Sequence, residues 1–288
     1  SEYDAVHATG DMEDLTIGVI NSRKLNVRAV IVLTASSEKE VDEELTCELS
    51  DGSSYEQNMV EKEALKLLVV RRDICRQKSE AVLPSSKPNI REILWQSMQL
   101  RNVESRLVEG KIRLSGEILV SILYNDEEEG EHLSWYETTV PLDAQAECGV
   151  MEDDCIWQVQ MVPLTMELEV KPDYDGEERI LVMELALDTH IRIWKEEKIR
   201  LLTDLYSLQK EVKPVFRECP LERLLVKNAA KCRMTEQMEL KEDKEKVLQI
   251  CSCEGKVLLE RQEIKPDGVL AEGTVEVNIL YITPDDHM

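Results

Sequence analysis

The sequence predicts a mainly β protein, built as tandem antiparallel β-sandwich domains with one or two short helices. Three observations carry that reading. Apolar and polar residues alternate over long stretches, the period of a strand with one buried face. The segment from Leu67 to Tyr124 can be laid on Leu224 to Tyr281 without a gap, at a constant offset of 281 − 124 = 157. At 288 residues the chain is long enough for two domains, and several short strands per pass fit sandwiches.

The elements follow in chain order. Leu25 to Leu33 reads as a strand. In Tyr55 to Leu68 the spacing of Met59, Val60, Ala64, Leu67 and Leu68 predicts a short helix. Ser85-Ser86-Lys87-Pro88 supplies a capping serine and a proline for the first turn ahead of Ile90, Ile93 and Leu94, which predicts a second helix of about two turns. Ile112, Leu114, Gly116, Ile118, Val120 and Ile122 alternate with Lys111, Arg113, Ser115, Glu117 and Ser121, so one face of this strand enters a core and the other meets water. Its central glycine predicts a bend or bulge. Thr165 to Val170, Ile180 to Leu187 and His190 to Ile199 are further strands, with Asp175-Gly176 marking a tight hairpin. Val269 to Tyr281 repeats the alternation, with Glu272, Thr274, Glu276 and Asn278 outward.

A weaker internal match sets Leu15 and Thr16 against Leu164 and Thr165, and Arg23 to Leu33 against Glu178 to Asp188. The chain therefore runs tail, head, tail, head. Residues 1–149 form a first pass and 150–288 a second, a period expected of tandem domains rather than a solenoid of small repeats.

Composition excludes several function classes. There are 59 acidic and 35 basic residues, a net charge of −24, whereas polyanion binding needs clustered Lys and Arg. No nucleic acid partner is expected. No apolar run approaches the roughly 20 residues of a membrane span, so no membrane insertion is expected, and Ser1 to Asp14 reads as no export signal. With aromatic residues at 4% and Phe216 the sole phenylalanine, the core is aliphatic. The eight cysteines are expected to be free thiols of a reducing cytoplasm.

No phosphate-cradling glycine loop, no Gly-x-Ser-x-Gly elbow and no metal-spaced histidine occurs, and no cofactor is expected. His7, His132, His190 and His287 lie apart. Cys251-Ser252-Cys253 places two thiols on one side of a strand, yet a second cysteine pair at zinc spacing is missing. The acidic run from Asn125 to Glu131 lacks the alternating ligands of a calcium loop and reads as a solvated hairpin tip. Glu152-Asp153-Asp154 and Asp173-Tyr174-Asp175 lie in turns without a catalytic neighbour. The candidate interaction residues are Trp135 and Tyr136, which point to opposite faces of one strand. One packs inward; the other either caps an adjacent unit or forms part of a partner-binding edge.

The strand from Gly110 to Tyr124, the acidic hairpin after it, and Trp135-Tyr136-Glu137-Thr138-Thr139-Val140-Pro141 together resemble the SPOCS domain of SipL-like spore-coat morphogenetic proteins from endospore-forming bacteria. Ile20 to Leu25, Lys87 to Leu94 and Glu169 to Arg179 also match, while Leu142 stands where that family has phenylalanine. In the family frame one complete unit covers about residues 64–218. The resemblance implies a non-enzymatic scaffold in the mother-cell cytoplasm at the forming spore surface, with spore coat or other morphogenetic proteins as partners. Relatives also carry a LysM module, so peptidoglycan contact would come through such a module outside this chain. A cell-wall or carbohydrate-binding module is the alternative, with Trp95, Trp135, Trp157 and Trp194 as its aromatic resource.

Overall fold

A computed structural model describes residues 5–38, 42–49, 55–126, 132–150, 154–227, 232–240 and 246–284. They divide into two compact units: Ser1–Lys62 with Ile199–Arg217, and Glu63–Lys198 with Glu218–Met288. Ten strands appear in chain order: β1 Ala5–Asn21, β2 Lys24–Glu38, β3 Glu56–Val82, β4 Ile90–Val108, β5 Lys111–Asp126, β6 Leu133–Glu147, β7 Cys155–Pro172, β8 Glu178–Tyr206, β9 Gln249–Lys265 and β10 Gly268–Ile282. The described residues contain no helix. The protein is mainly β, as its alternation predicts.

The second unit is organised by a sandwich. One sheet is the antiparallel meander β4-β5-β6 and the other has the order β3-β8-β7. The cross-strand contacts Lys66–Glu197, Arg72–Asp188 and Lys78–Glu184 run in opposite chain directions, so β3 is antiparallel to β8. Ile112, Leu114, Ile118 and Val120 of β5 and Val140, Leu142, Ala144 and Ala146 of β6 meet Met183, Leu185, Leu187, Ile191 and Ile193 of β8 in one core. These are the inward positions of period-two strands, and their apolar area is what holds the sheets together. A second cluster, Leu83, Ile90, Ile122, Tyr124 and Leu181, continues the core.

Local chemistry sets the turns. Glu109 and Gly110 both have positive φ, 48° and 78°, so β4 and β5 are joined by the two-residue primed turn whose twist matches the strands. Facing Gly116, β4 bulges between Arg101 and Glu104, with Asn102 at φ 52°. A Cβ on Gly116 would lie 3.0 Å from the Arg101 carbonyl oxygen and 3.0 Å from Val103 Cα, so the bulge requires glycine there.

The β9-β10 hairpin repeats β4-β5 pairing for pairing. Val108↔Lys111, Leu100↔Ile118, Trp95↔Leu123 and Ile93↔Tyr124 become Lys265↔Gly268, Val257↔Val275, Ser252↔Leu280 and Ile250↔Tyr281, all at 268 − 111 = 157. The bulge recurs opposite Gly273, whose added Cβ would collide with the Leu258 carbonyl oxygen. Only the turn differs, being Pro266-Asp267, where the proline ring fixes φ near −65°. The counterpart of β3, residues 224–239, forms no strand where described. β3 is held by its pairing with β8; among the described residues no strand pairs with 224–227 or 232–239.

Several expectations need correction. Of residues 55–68, expected as a short helix, 56–68 belong to β3, where pairing with β8 overrides helical spacing. The second expected helix is a turn at 85–89 followed by β4. Register shifts between Ile90 and Glu92 and between Ile93 and Trp95 insert extra residues, so Ile90 and Ile93 reach the same cluster three residues apart and imitate a helix. Ile180 to Leu187 and His190 to Ile199 are one continuous strand, β8. The outward face of β5 is dry at one end, with Leu119, Ser121 and Leu123 all buried.

The tail hairpins also repeat, in a different alignment from that read in the sequence. In β1-β2 the pairs Met12↔Ile31, Asp14↔Val30 and Ile17↔Val27 correspond to Pro163↔Leu187, Thr165↔Ala186 and Leu168↔Met183 in β7-β8, with the bulge at the same place. The offsets are 163 − 12 = 151 for the first strand and 187 − 31 = 156 for the second. The sequence reading paired Arg23 to Leu33 at 155, and a slip of one residue turns every side chain to the wrong face. At 156, Leu25, Val27, Ala29 and Ile31 fall on Leu181, Met183, Leu185 and Leu187, the core face of β8.

One ion pair locks the rim of the sandwich. Arg72 on β3 donates from Nε to Asp188 Oδ1 at 2.8 Å and from Nη2 to Oδ2 at 2.6 Å, and His190 Nε2 lies 3.4 Å from Oδ2. The hydrogen bond from Arg72 holds the Asp188 carboxyl below the usual carboxylate range against the opposing effect of burial, and His190 adds to the lowering. A depressed folded pKa means that the pair's stabilisation is complete above the unfolded value of about 3.9 and is lost as pH falls through the lower folded value. Arg72→Ala is therefore expected to move acid unfolding, followed by circular dichroism, to higher pH; an unmoved midpoint would remove the pair from the acid response.

Candidate interaction surfaces

β6 presents the two candidate aromatics to different surroundings. Tyr136 pairs with Ile122 and packs against the cluster of Leu83, Ile90, Tyr124 and Leu181 inside the sandwich. Trp135 pairs with Leu123 and faces outward, half-buried against Leu123, Cys251 and Ile282 beside Trp95, Leu133 and Leu280. Lys87 Nζ stands 4.8 Å from the centroid of the Trp135 ring, a cation–π contact. Trp135 thus meets the end of the β9-β10 hairpin.

This contact joins equivalent positions of the repeat. Leu123 and Leu280, which are 157 apart, share the cluster, and Ser97 donates to Glu254 Oε1 at 2.7 Å across the same separation. Two copies of one hairpin meet here, and the contact covers Leu123 on the outward face of β5.

The edge of β6 is partly occupied by β3. Gln77 donates from Nε2 to the Pro141 carbonyl at 2.7 Å and accepts from the Asp143 amide at 3.0 Å. One side chain thereby satisfies both polar groups that a docking strand would use. Leu133 to Val140 carry the remainder of that edge.

The larger apolar surfaces lie on the hairpins that end the chain order. In β9-β10 the face equivalent to the β5 core face carries Val257, Ile264, Val269, Val275, Val277 and Ile279, all exposed. In β1-β2, Leu15, Ile17, Val19, Leu25, Val27 and Ile31 are likewise exposed. Alternation alone marked these residues as a core face and could not show that they are exposed among the described residues.

The remaining sequence candidates are dispersed. The bulge at Ile250–Ser252 puts Cys251 in the interior and leaves Cys253 exposed, so the two thiols do not share a face as expected. Burial pushes the Cys251 thiol up, which lowers its thiolate fraction. All eight cysteines are unpaired, with Cys75, Cys148, Cys155 and Cys251 buried and Cys47, Cys232 and Cys253 exposed. Under native conditions a thiol-reactive disulfide reagent is expected to modify the exposed three rapidly and the buried four only on unfolding. Mass mapping of early adducts checks this, and fast labelling of Cys251 would contradict the packing around Trp135.

Asp173 is a turn organiser. Its Oδ1 accepts from the Asp175 and Glu177 amides at 2.9 and 3.1 Å, with Gly176 at φ 86°. Asp154 pairs with Lys195 at 3.7 Å. Residues 127–131, 151–153 and His287 lie outside the described residues. Among those described, no group of three or more His, Cys, Asp or Glu is placed to hold a metal ion, and no helix is long and apolar enough to cross a membrane.

One structural residue escaped the sequence reading. Arg179, at the start of β8, donates from Nη2 to the carbonyls of Pro84, Lys87 and Leu83 at 2.7, 3.1 and 3.3 Å, and from Nη1 to Asn89. Tyr124 donates its hydroxyl to the Pro88 carbonyl at 3.1 Å. Together they fix the turn that leads into β4. Both lay in segments quoted for the family resemblance, but only the fold brings them to this loop.

Comparison with known proteins gives one family. The model described as SipL, SPOCS domain, matches residues 89–171 and 246–288. The two matches begin 246 − 89 = 157 residues apart, the spacing of the two hairpins. Neither a curated protein nor a solved structure matches the chain significantly.

Proposed function

We infer, from the two segments that match the SipL, SPOCS domain model, that the chain is a sporulation protein serving as a non-enzymatic scaffold in spore coat assembly or attachment. The duplicated domain is the observation that supports this reading. Repeated β modules present strand edges and apolar surface more than once along a chain, so weak contacts with coat or other morphogenetic proteins reinforce one another through effective concentration. The net charge of −24 directs such contacts towards proteins rather than polyanions.

The glycan-binding alternative is less well supported. Trp95 and Trp135 pack against the β9-β10 hairpin, and Trp157 is drawn to the core while its Nε1 donates to Ser105 at 3.2 Å. They do not share one flat platform of the kind sugars stack on.

Purified chain should co-precipitate with coat morphogenetic proteins and stay in the supernatant when peptidoglycan is sedimented. Cells lacking it should form spores with detached or misplaced coat. The opposite partition would favour the glycan reading, and a normal coat would overturn the scaffold.

A further inference from the structure

We propose that Arg179 and Lys87 form a clasp that holds the end of the β9-β10 hairpin against Leu123 and Trp135, so that the turn at 85–89 governs access to Trp135. The inference concerns a candidate interaction residue and does not depend on the coat role.

The clasp is a chain of contacts within the second unit. The Arg179 guanidinium gathers the carbonyls of Leu83, Pro84 and Lys87 together with the side chain of Asn89. Tyr124, fully buried in the sandwich, donates its hydroxyl to the Pro88 carbonyl. The Lys87 amide bonds the Pro84 carbonyl at 2.9 Å. Held at these points, the turn directs Lys87 Nζ over the Trp135 ring. The same ammonium acts on Cys251: burial pushes that thiol up, while the Ile282 backbone and the Lys87 charge pull it down. Lys87 therefore bridges the two sides of the junction, Trp135 on the sandwich and Cys251 on the hairpin.

The rest of the junction gives such a bridge something to decide. Ser97 and Gln99 bond Glu254 and the Cys253 carbonyl in contact with solvent, where each bond competes with water. Ser252 Oγ is buried with no hydrogen-bond partner among the described residues, so it recovers hydration when the hairpin lifts. A contact built in this way opens more readily than the sandwich core. Lys87 touches Trp135 directly, and Arg179 is a positioning residue that acts through it.

Thiol labelling of the whole chain tests the clasp. Under native conditions a thiol-reactive disulfide, with mass mapping of the adducts, reads the junction through Cys251 and the sandwich through Cys75, Cys148 and Cys155, all buried. Lys87→Ala should speed labelling of Cys251 alone, on the order of tenfold, the scale of a cation–π contact in a half-dry site. The three sandwich thiols should keep their wild-type rates. Lys87→Arg, which retains a cation over the ring, should label as wild type does. Arg179→Gln should also expose Cys251 selectively. Combined with Lys87→Ala it should add nothing to the faster single variant, because both substitutions break one path.

An unchanged Cys251 rate in Lys87→Ala would overturn the proposal, as would Lys87→Arg behaving like Lys87→Ala. Exposure of all four thiols together in Arg179→Gln would reduce Arg179 to a residue of sandwich stability. Additive effects in the double variant would overturn its action through Lys87.

Discussion

Val120→Asp is expected to cost on the order of 3 kcal/mol or more, enough to unfold the sandwich at moderate temperature. Val120 is 1% exposed and lies in the core between the two sheets, where a carboxylate would find no cation and its ionised form would be heavily penalised. The repeat supplies an internal control. Val277 occupies the equivalent strand position, with the same register and an almost identical sequence pattern, yet is 44% exposed. Val277→Asp should change stability by no more than about 0.5 kcal/mol, the range of ordinary surface substitutions. Denaturant unfolding of the two variants at low protein concentration checks both numbers together. Equal losses would mean that the faces of β5 and β10 are equally covered.

Gly116→Ala is the second large effect. A single methyl group added there meets the Arg101 carbonyl oxygen and Val103 Cα at 3.0 Å each. Both belong to the backbone of a bulge and cannot rotate away as a side chain would. Overpacking of this kind costs about 1–3 kcal/mol. Gly18 in β1, with nothing within 4 Å of the corresponding Cβ, makes the comparison: Gly18→Ala should be close to neutral. A stable Gly116→Ala protein would show that β4 can relax its bulge. Hydrogen exchange at 101–104 would reveal that relaxation.

The sequence discloses this fold wherever a strand keeps its period. Ile112 to Ile122 alternate without interruption, and the core face of β5 is where the alternation puts it. The reading failed where a bulge broke the period, as at Ile90 and Ile93, because one extra residue in a strand produces the three-residue spacing of a helix. It failed again for the tail repeat. Two offsets differing by one residue score similarly as letters but place opposite faces in the core, and only the pairing of Ile17 with Val27 and of Leu168 with Met183 decides between them.

The candidate surfaces were legible in part. The opposite directions of Trp135 and Tyr136 follow from strand geometry alone. What each meets does not, since Leu280 and Cys251 lie far along the chain. Nor does alternation distinguish a face that is covered from one that is bare. Val120 and Val277 look alike in the sequence and differ only in whether a second sheet lies above them.

The order of the strands also governs how the sandwich can be reached in time. The meander β4-β5-β6 is local and its hairpins close within microseconds, the scale of such turns. Sealing it requires β8 to pair with β3, as in Arg72 with Asp188, 116 residues apart. Contacts so distant raise the contact order and make the final closure the slow event. During synthesis the meander must therefore wait, its apolar face uncovered, until β8 has left the ribosome. That waiting state presents to the cell the same kind of surface that β9-β10 exposes in this structure, and a chaperone that shields one is expected to recognise the other.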